Sequence, residues 1–211
     1  MVFQKDIKSF ITVAIIGILA GSLCSLLDLI PGNNIWTFSS FSGSLGFWAI
    51  SAMIILMQSD NWKLAGINTF IYFGLMNTSF FFVHLLLPLE FPRFTGVGNA
   101  AIQSLVWLIP SFICGIFAII TYQAKKNNWI GIIALSLPLS VLLEEEVSLI
   151  GSVIVNHKYL FQSIIDLIGI IIIFILYKDK KNPWLIILTT VLITALLLVL
   201  LYLKNGNILY Y

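Results

Sequence analysis

Residues 183–203 read PWLIILTTVLITALLLVLLYL, a run with no charged side chain. As an α-helix it is about 31 Å long at ~1.5 Å per residue, which matches the ~30 Å hydrocarbon core of a bilayer. It does not alternate apolar and polar residues at every second position, as a membrane-spanning β-strand must. The same continuous character returns in IIGILAG at 15–21 and LIGIIIIFIL at 167–176.

The whole chain follows suit. Of its 211 residues, 60% are hydrophobic and only 9% are charged, against about 25% charged in a soluble domain. Too little polar side chain is present to cover a globule in water, so lipid must cover it. The expected architecture is an all-α, polytopic transmembrane bundle forming one domain over residues 1–211. Seven spans are predicted, at 9–30, 41–58, 64–88, 99–123, 129–155, 160–177 and 183–203. Six is the alternative count. Short polar breaks separate them: Pro31-Gly32-Asn33-Asn34, Ser59-Asp60-Asn61, Pro92 with Gly96 and Gly98, Lys125-Lys126-Asn127-Asn128, and Lys180-Lys181-Asn182-Pro183. Lys5 and Lys8 precede the first span as they would in a signal peptide, but the apolar run is too long and lacks a clear cleavage site, so it reads as a helix.

Basic residues set the orientation. With the N-terminus inside, Lys5, Lys8, Lys63, Lys125, Lys126, Lys178, Lys180 and Lys181 are cytoplasmic, and only Arg93, Lys158 and Lys204 lie outside. Eight against three favours a cytoplasmic N-terminus. Trp62, Trp129, Trp184 and Tyr177 then fall at the inner interface and Trp36 near the outer one, as an aromatic belt requires. A net charge of +2 without clustered Lys and Arg excludes nucleic acid as a partner. Cys24 and Cys114 sit in apolar runs without metal-ligand spacing and read as packing residues.

The chemistry is expected where charges enter the spans, because a central charge costs about 2.5–3.5 kcal/mol on insertion scales. Glu144, Glu145 and Glu146 stand in a row in the fifth span, roughly 22–26 Å from Trp129 at ~1.5 Å per residue. Asp166 lies ten residues after Asn156, and Glu146 ten before it, so the two acids share a depth on antiparallel helices. Asp28 and His84 approach the same outer layer, with Asn77 two turns deeper. These seven residues form the candidate ligand- or ion-binding site, opening outward. Successive residues turn by about 100°, so the three glutamates cannot all face one cavity. Pro138 and Pro110 would loosen the fifth and fourth spans. The plainer readings are glutamates in an interfacial loop, one interhelical hydrogen bond at Asp166, an interfacial His84, and a helix-end charge at Asp28.

Gly17, Gly21 and Ser25 recur every four residues and give the first helix a small-residue face. That face suits internal packing or the docking of a partner subunit.

Gly17, Gly21, Trp36, Ser40, Gly43, Trp48, Lys63-Leu64-Ala65-Gly66, Tyr72, Trp107, Pro110, Gly115 and an intramembrane glutamate together resemble a family of small bacterial multi-pass membrane proteins labelled only as a domain of unknown function. The resemblance covers most of the chain and implies architecture without a mechanism. The small-residue face and the outer polar layer are also similar to the vitamin-binding membrane subunits of energy-coupling-factor transporters, which usually have six helices. The paired glutamates resemble those of intramembrane metalloproteases that process prenylated proteins. Here, however, no arginine follows Glu144-Glu145, and Phe80 and His84 precede the glutamates instead of following them. No Walker loop, Rossmann fingerprint, GxSxG elbow or HExxH helix is present, and the sequence leaves any cofactor open. The leading expectation is a bacterial plasma-membrane protein that binds or translocates a small molecule or ion. The alternatives are a non-catalytic accessory or immunity subunit, then an intramembrane metal-dependent hydrolase.

Overall fold

The structure, a computed structural model, describes residues 3–30, 32–86, 97–177 and 182–205. Among them are eight α-helices: α1 (Ile7–Asp28), α2 (Leu45–Gln58), α3 (Trp62–Leu86), α4 (Val97–Val106), α5 (Leu108–Thr121), α6 (Trp129–Asn156), α7 (Leu160–Tyr177) and α8 (Pro183–Asn205). No strand occurs among the described residues beyond an isolated bridge between Phe3 and Ser59. Four helical stretches are long and apolar enough to cross a membrane: Ile7–Asp28, Trp62–Leu86, Ala101–Lys125 and Pro183–Lys204. Leu45–Gln58 and Leu160–Ile175 are apolar but shorter. Among the described residues the architecture is therefore helical and compatible with a membrane. Pro31, Pro92, Gly96, Arg93, Lys178, Lys180 and Lys181, on which parts of the span and orientation reading rest, lie outside the described residues.

The helix starts obey local chemistry. The first amides of a helix have no intrahelical acceptor, and an Asp or Asn side chain supplies one here. Asn61 accepts from Leu64, Asn128 from Gly131 and Asn182 from Trp184. Pro183 opens α8 at the one position where a missing N–H costs nothing. Trp62, Trp129 and Trp184 each stand at the start of a helix and are exposed, as interfacial tryptophans would be.

At α1 the cap is Asp6, which accepts the Ser9 amide at 2.7 Å. Hydrogen bonds from the Ser9 side chain and backbone hold the Asp6 carboxyl below its ordinary pKa of 3.8. Because the folded value is depressed, the cap is present above the unfolded value and is lost as pH falls through the folded one. Protection of the Ser9 amide against hydrogen exchange should accordingly fall in acid, below about pH 3.8. The Asp6→Asn variant, which caps without titrating, should lack that acid step.

Two spans depart from expectation. The predicted second span began at residue 41, but Phe38–Gly43 forms a 3-10 turn and α2 starts only at Leu45. At ~1.5 Å per residue, its 14 residues cover about 21 Å. The predicted fourth span is interrupted at Trp107, between α4 and α5, although Ala101–Lys125 remains one stretch long and apolar enough to cross a membrane. Pro110 has no N–H to give, so α5 begins just before it, as prolines in a first helical turn allow. Asn77 on α3 donates to the Ser111 hydroxyl at 3.0 Å beside that break.

The chain packs as two compact units. The first comprises Met1–Leu29 and Ile54–Ile120, the second Ile30–Met53 and Thr121–Tyr211. In the first, α1 packs along α3 through the face of Val13, Gly17, Gly21 and Ser25. Ile11, Ile15, Leu19 and Leu23 on its other side are exposed, which suits lipid. In the second unit, α6 packs against α7 and α8. Ser136 and Thr189 share a hydrogen bond, Ser140 donates to the Thr190 carbonyl at 3.1 Å, and Thr194 donates back to the Ser140 carbonyl. Such interhelical bonds average about 0.6 kcal/mol in a membrane bundle, so they fix register more than they stabilise.

Candidate functional site

All three consecutive glutamates lie inside α6, ten or more residues from its C-terminal end, which rules out the interfacial-loop reading. All three are also buried: Glu144 is 8% exposed, Glu145 4% and Glu146 2%. The 100° turn between neighbours sends them in different directions, as expected, but each direction meets protein.

Glu145 reaches the N-terminus of α2. Its Oε1 accepts the Leu45 amide at 3.1 Å, and its Oε2 accepts the Gly46 amide. The Ser44 hydroxyl accepts the Phe47 amide, and the Trp48 amide already bonds the Ser44 carbonyl. Every orphan donor of the first turn therefore has a partner, two of them supplied by a residue a hundred positions away. A carboxylate there also faces the positive end of the helix dipole.

Glu146 turns toward α7, where the Ser163 hydroxyl donates to its Oε1 at 2.8 Å; its Oε2 has no partner among the described residues. Gln162, Ser163 and Asp166 form one buried face of α7, continued by Gly169 and Ile173, while Ile164, Leu167, Ile168 and Ile171 are exposed. This is the inverted polarity of a helix whose outer solvent is lipid. Gln162 donates to the Ser40 hydroxyl and, at 3.4 Å, to the Thr37 carbonyl. The Tyr159 amide donates to the Thr37 hydroxyl at 3.0 Å, and the Leu160 amide to the Ile35 carbonyl at 3.0 Å. The segment leading into α2 is thus pinned to the start of α7.

Asp166 is fully buried, at 0% exposure, and neither carboxylate oxygen has a hydrogen-bond partner among the described residues. It lies within electrostatic reach of Glu145 and Glu146. A Cβ built on Gly46 would fall on the Asp166 carboxylate, so the glycine is what lets the α2 backbone rest against it. No cationic side chain pairs with these acids among the described residues, and no group of three or more His, Cys, Asp or Glu is arranged there to hold a metal ion. Glu145, Glu146 and Asp166 do come together; the single hydrogen bond expected of Asp166 under its plainer reading is not there.

The other predicted residues belong to the first unit. The Ser25 hydroxyl lies 2.6 Å from His84 Nδ1, and His84 Nε2 lies 3.2 Å from Asp28 Oδ2. The Phe80 carbonyl also approaches Nδ1, at 3.1 Å. Hydroxyl, imidazole and carboxylate in series have the order of a nucleophilic relay. Ser25, however, is fully buried in the α1–α3 seam, where no substrate can reach it. The three residues form an interhelical clamp. Asn77 braces the α4–α5 break.

The small-residue face is likewise occupied within the first unit. A Cβ on Gly17 would lie 2.6 Å from the Tyr72 carbonyl oxygen, and one on Gly21 would fall on the Met76 carbonyl and the Ser79 hydroxyl. Gly17, Gly21 and Ser25 therefore receive α3, and a docked partner would have no access to that face. Cys24 and Cys114 are both free thiols.

Sequence reasoning missed Ser44, Gly46, Gln162 and Ser163. It also missed a signal that was present: Ser136, Ser140, Glu144, Ser148 and Ser152 recur every four residues along one face of α6, and all are buried. Small hydroxyl residues at that period mark a packed polar seam, and they place Glu144 in it. No family model, no curated protein and no solved structure matches the chain.

Proposed function

We propose that the protein binds a small cation at Glu145, Glu146 and Asp166 of its second unit and passes it across a bacterial plasma membrane. The reading keeps seven spans with a cytoplasmic N-terminus, which puts the acids in the outer half of the bilayer. One observation carries it: Asp166 is sealed from solvent with both oxygens unpartnered, next to two further buried carboxylates. Removing an unpaired ion from water costs several kcal/mol even after relaxation, and a chain that retains one needs something to meet it. A cation meets it directly. A neutral small molecule would leave the charge unbalanced.

The full-length protein in liposomes should dissipate an imposed gradient of protons, sodium or potassium. The Asp166→Asn variant, which keeps the volume and loses the charge, should fall to the rate of protein-free vesicles while its circular dichroism stays helical. Wild-type vesicles no leakier than empty ones, or an Asp166→Asn variant as fast as wild type, would overturn the reading.

A further inference from the structure

A metal cation of the hard, oxygen-seeking kind asks for about six or more oxygens, or a near-octahedral set. The acid cluster does not offer them. Glu145 has both oxygens on the amides of α2, and Glu146 has one on Ser163. The Gly46 backbone closes one side of Asp166, in the space where any larger residue would put its Cβ. What remains unpartnered is the pair of Asp166 oxygens and the single Oε2 of Glu146.

That remainder has the make-up of a proton site. A carboxylate that takes a proton becomes an O–H donor with acceptor capacity left over, and Glu146 Oε2 is an acceptor without a donor in the same cluster. One proton on an Asp166 oxygen would remove the unpaired charge and add a donor to a cluster that has only acceptors left over. We infer that the cation is the proton and that Asp166 takes it up and gives it back. The inference rests on the cation-site reading above and narrows it to one ion.

Infrared difference spectra of the full-length protein in lipid, taken between alkaline and acid buffer, test this directly. Among the carbonyl bands of protonated carboxylic acids that appear on acidification, to which the other acids of the chain also contribute, one component should be lost in Asp166→Asn and return displaced in Asp166→Glu. Sodium or potassium chloride at fixed pH should leave it as choline chloride does. A band unchanged in Asp166→Asn, or one erased by sodium or potassium alone, overturns the proton assignment. Vesicles that move sodium or potassium but no protons also overturn it and leave the cation site standing. Vesicles that move no cation at all remove both.

Discussion

Replacing Glu145 with alanine is expected to destabilise the second unit by about 2–4 kcal/mol and to expose the first turn of α2 to exchange. The Leu45 and Gly46 amides would lose their acceptor in a buried place. An unmet buried donor costs about 1–3 kcal/mol, and two of them double that. The gain on the other side is relief from burying a carboxylate, which offsets part of the loss without reversing it, because helix N–H groups in lipid find no water to replace the oxygen. Glu145→Gln separates the two roles of the residue. A glutamine offers one carbonyl oxygen and one NH2 group, so it keeps one of the two amide bonds and turns a donor toward the other. Its effect should be about half that of alanine. Hydrogen exchange at Leu45, Gly46 and Phe47 reports the cap, and chemical unfolding in detergent reports the stability. Glu144→Gln, three glutamates being equal in sequence, should leave those amides protected. If Glu145→Ala left them as protected as wild type, Glu145 would not be the cap of α2.

This cap marks the boundary between what the sequence discloses and what it hides. Helical class and membrane compatibility are plain in composition and in uncharged runs such as 183–203, because lipid as a solvent constrains every residue that faces it. Helix starts at Asn61, Asn128 and Asn182 are plain as well, since capping is a contact between residues three or fewer positions apart. Asp166 and Glu146 were placed at a common depth by counting residues from the turn between them, and they do fall in one cluster. The pairing of Glu145 with Leu45 and Gly46 depends on where α6 passes the start of α2, and no local pattern states that. The late start of α2 is partly local: Ser42, Gly43 and Ser44 favour turns and caps over helix interior, and Glu145 then takes the amides of Leu45 and Gly46 where the helix begins. For Asp28 and His84 the sequence gives a depth and no direction. Within the first unit, what decides their role is the direction of each side chain, and that direction leads to one another and to Ser25.

Gly21→Ala should lower stability although it improves helix propensity. In an open helical position, alanine is favoured over glycine by about 1 kcal/mol. At Gly21 the added methyl has nowhere to go: its place is taken by the Met76 backbone carbonyl and the Ser79 hydroxyl, the latter held by the Ile18 carbonyl at 3.1 Å and the Met76 carbonyl at 3.0 Å. A side-chain end could swing aside, but a helix backbone cannot, so α1 and α3 must separate along the seam that also holds Gly17 and Ser25. Overpacking of this kind costs about 1–3 kcal/mol and more when backbone is involved. The steric cost therefore exceeds the propensity gain, and net loss is expected to reach about 1–2 kcal/mol, larger still for Gly21→Leu. A chain of this length converts that to roughly 2–4 °C of melting midpoint per kcal/mol. Gly43→Ala is the matched control, since the same atom added there meets nothing within 4 Å. Thermal unfolding of the two variants in one detergent isolates the seam from the substitution itself. A Gly21→Ala protein as stable as Gly43→Ala would mean that α1 and α3 are not in backbone contact at that position.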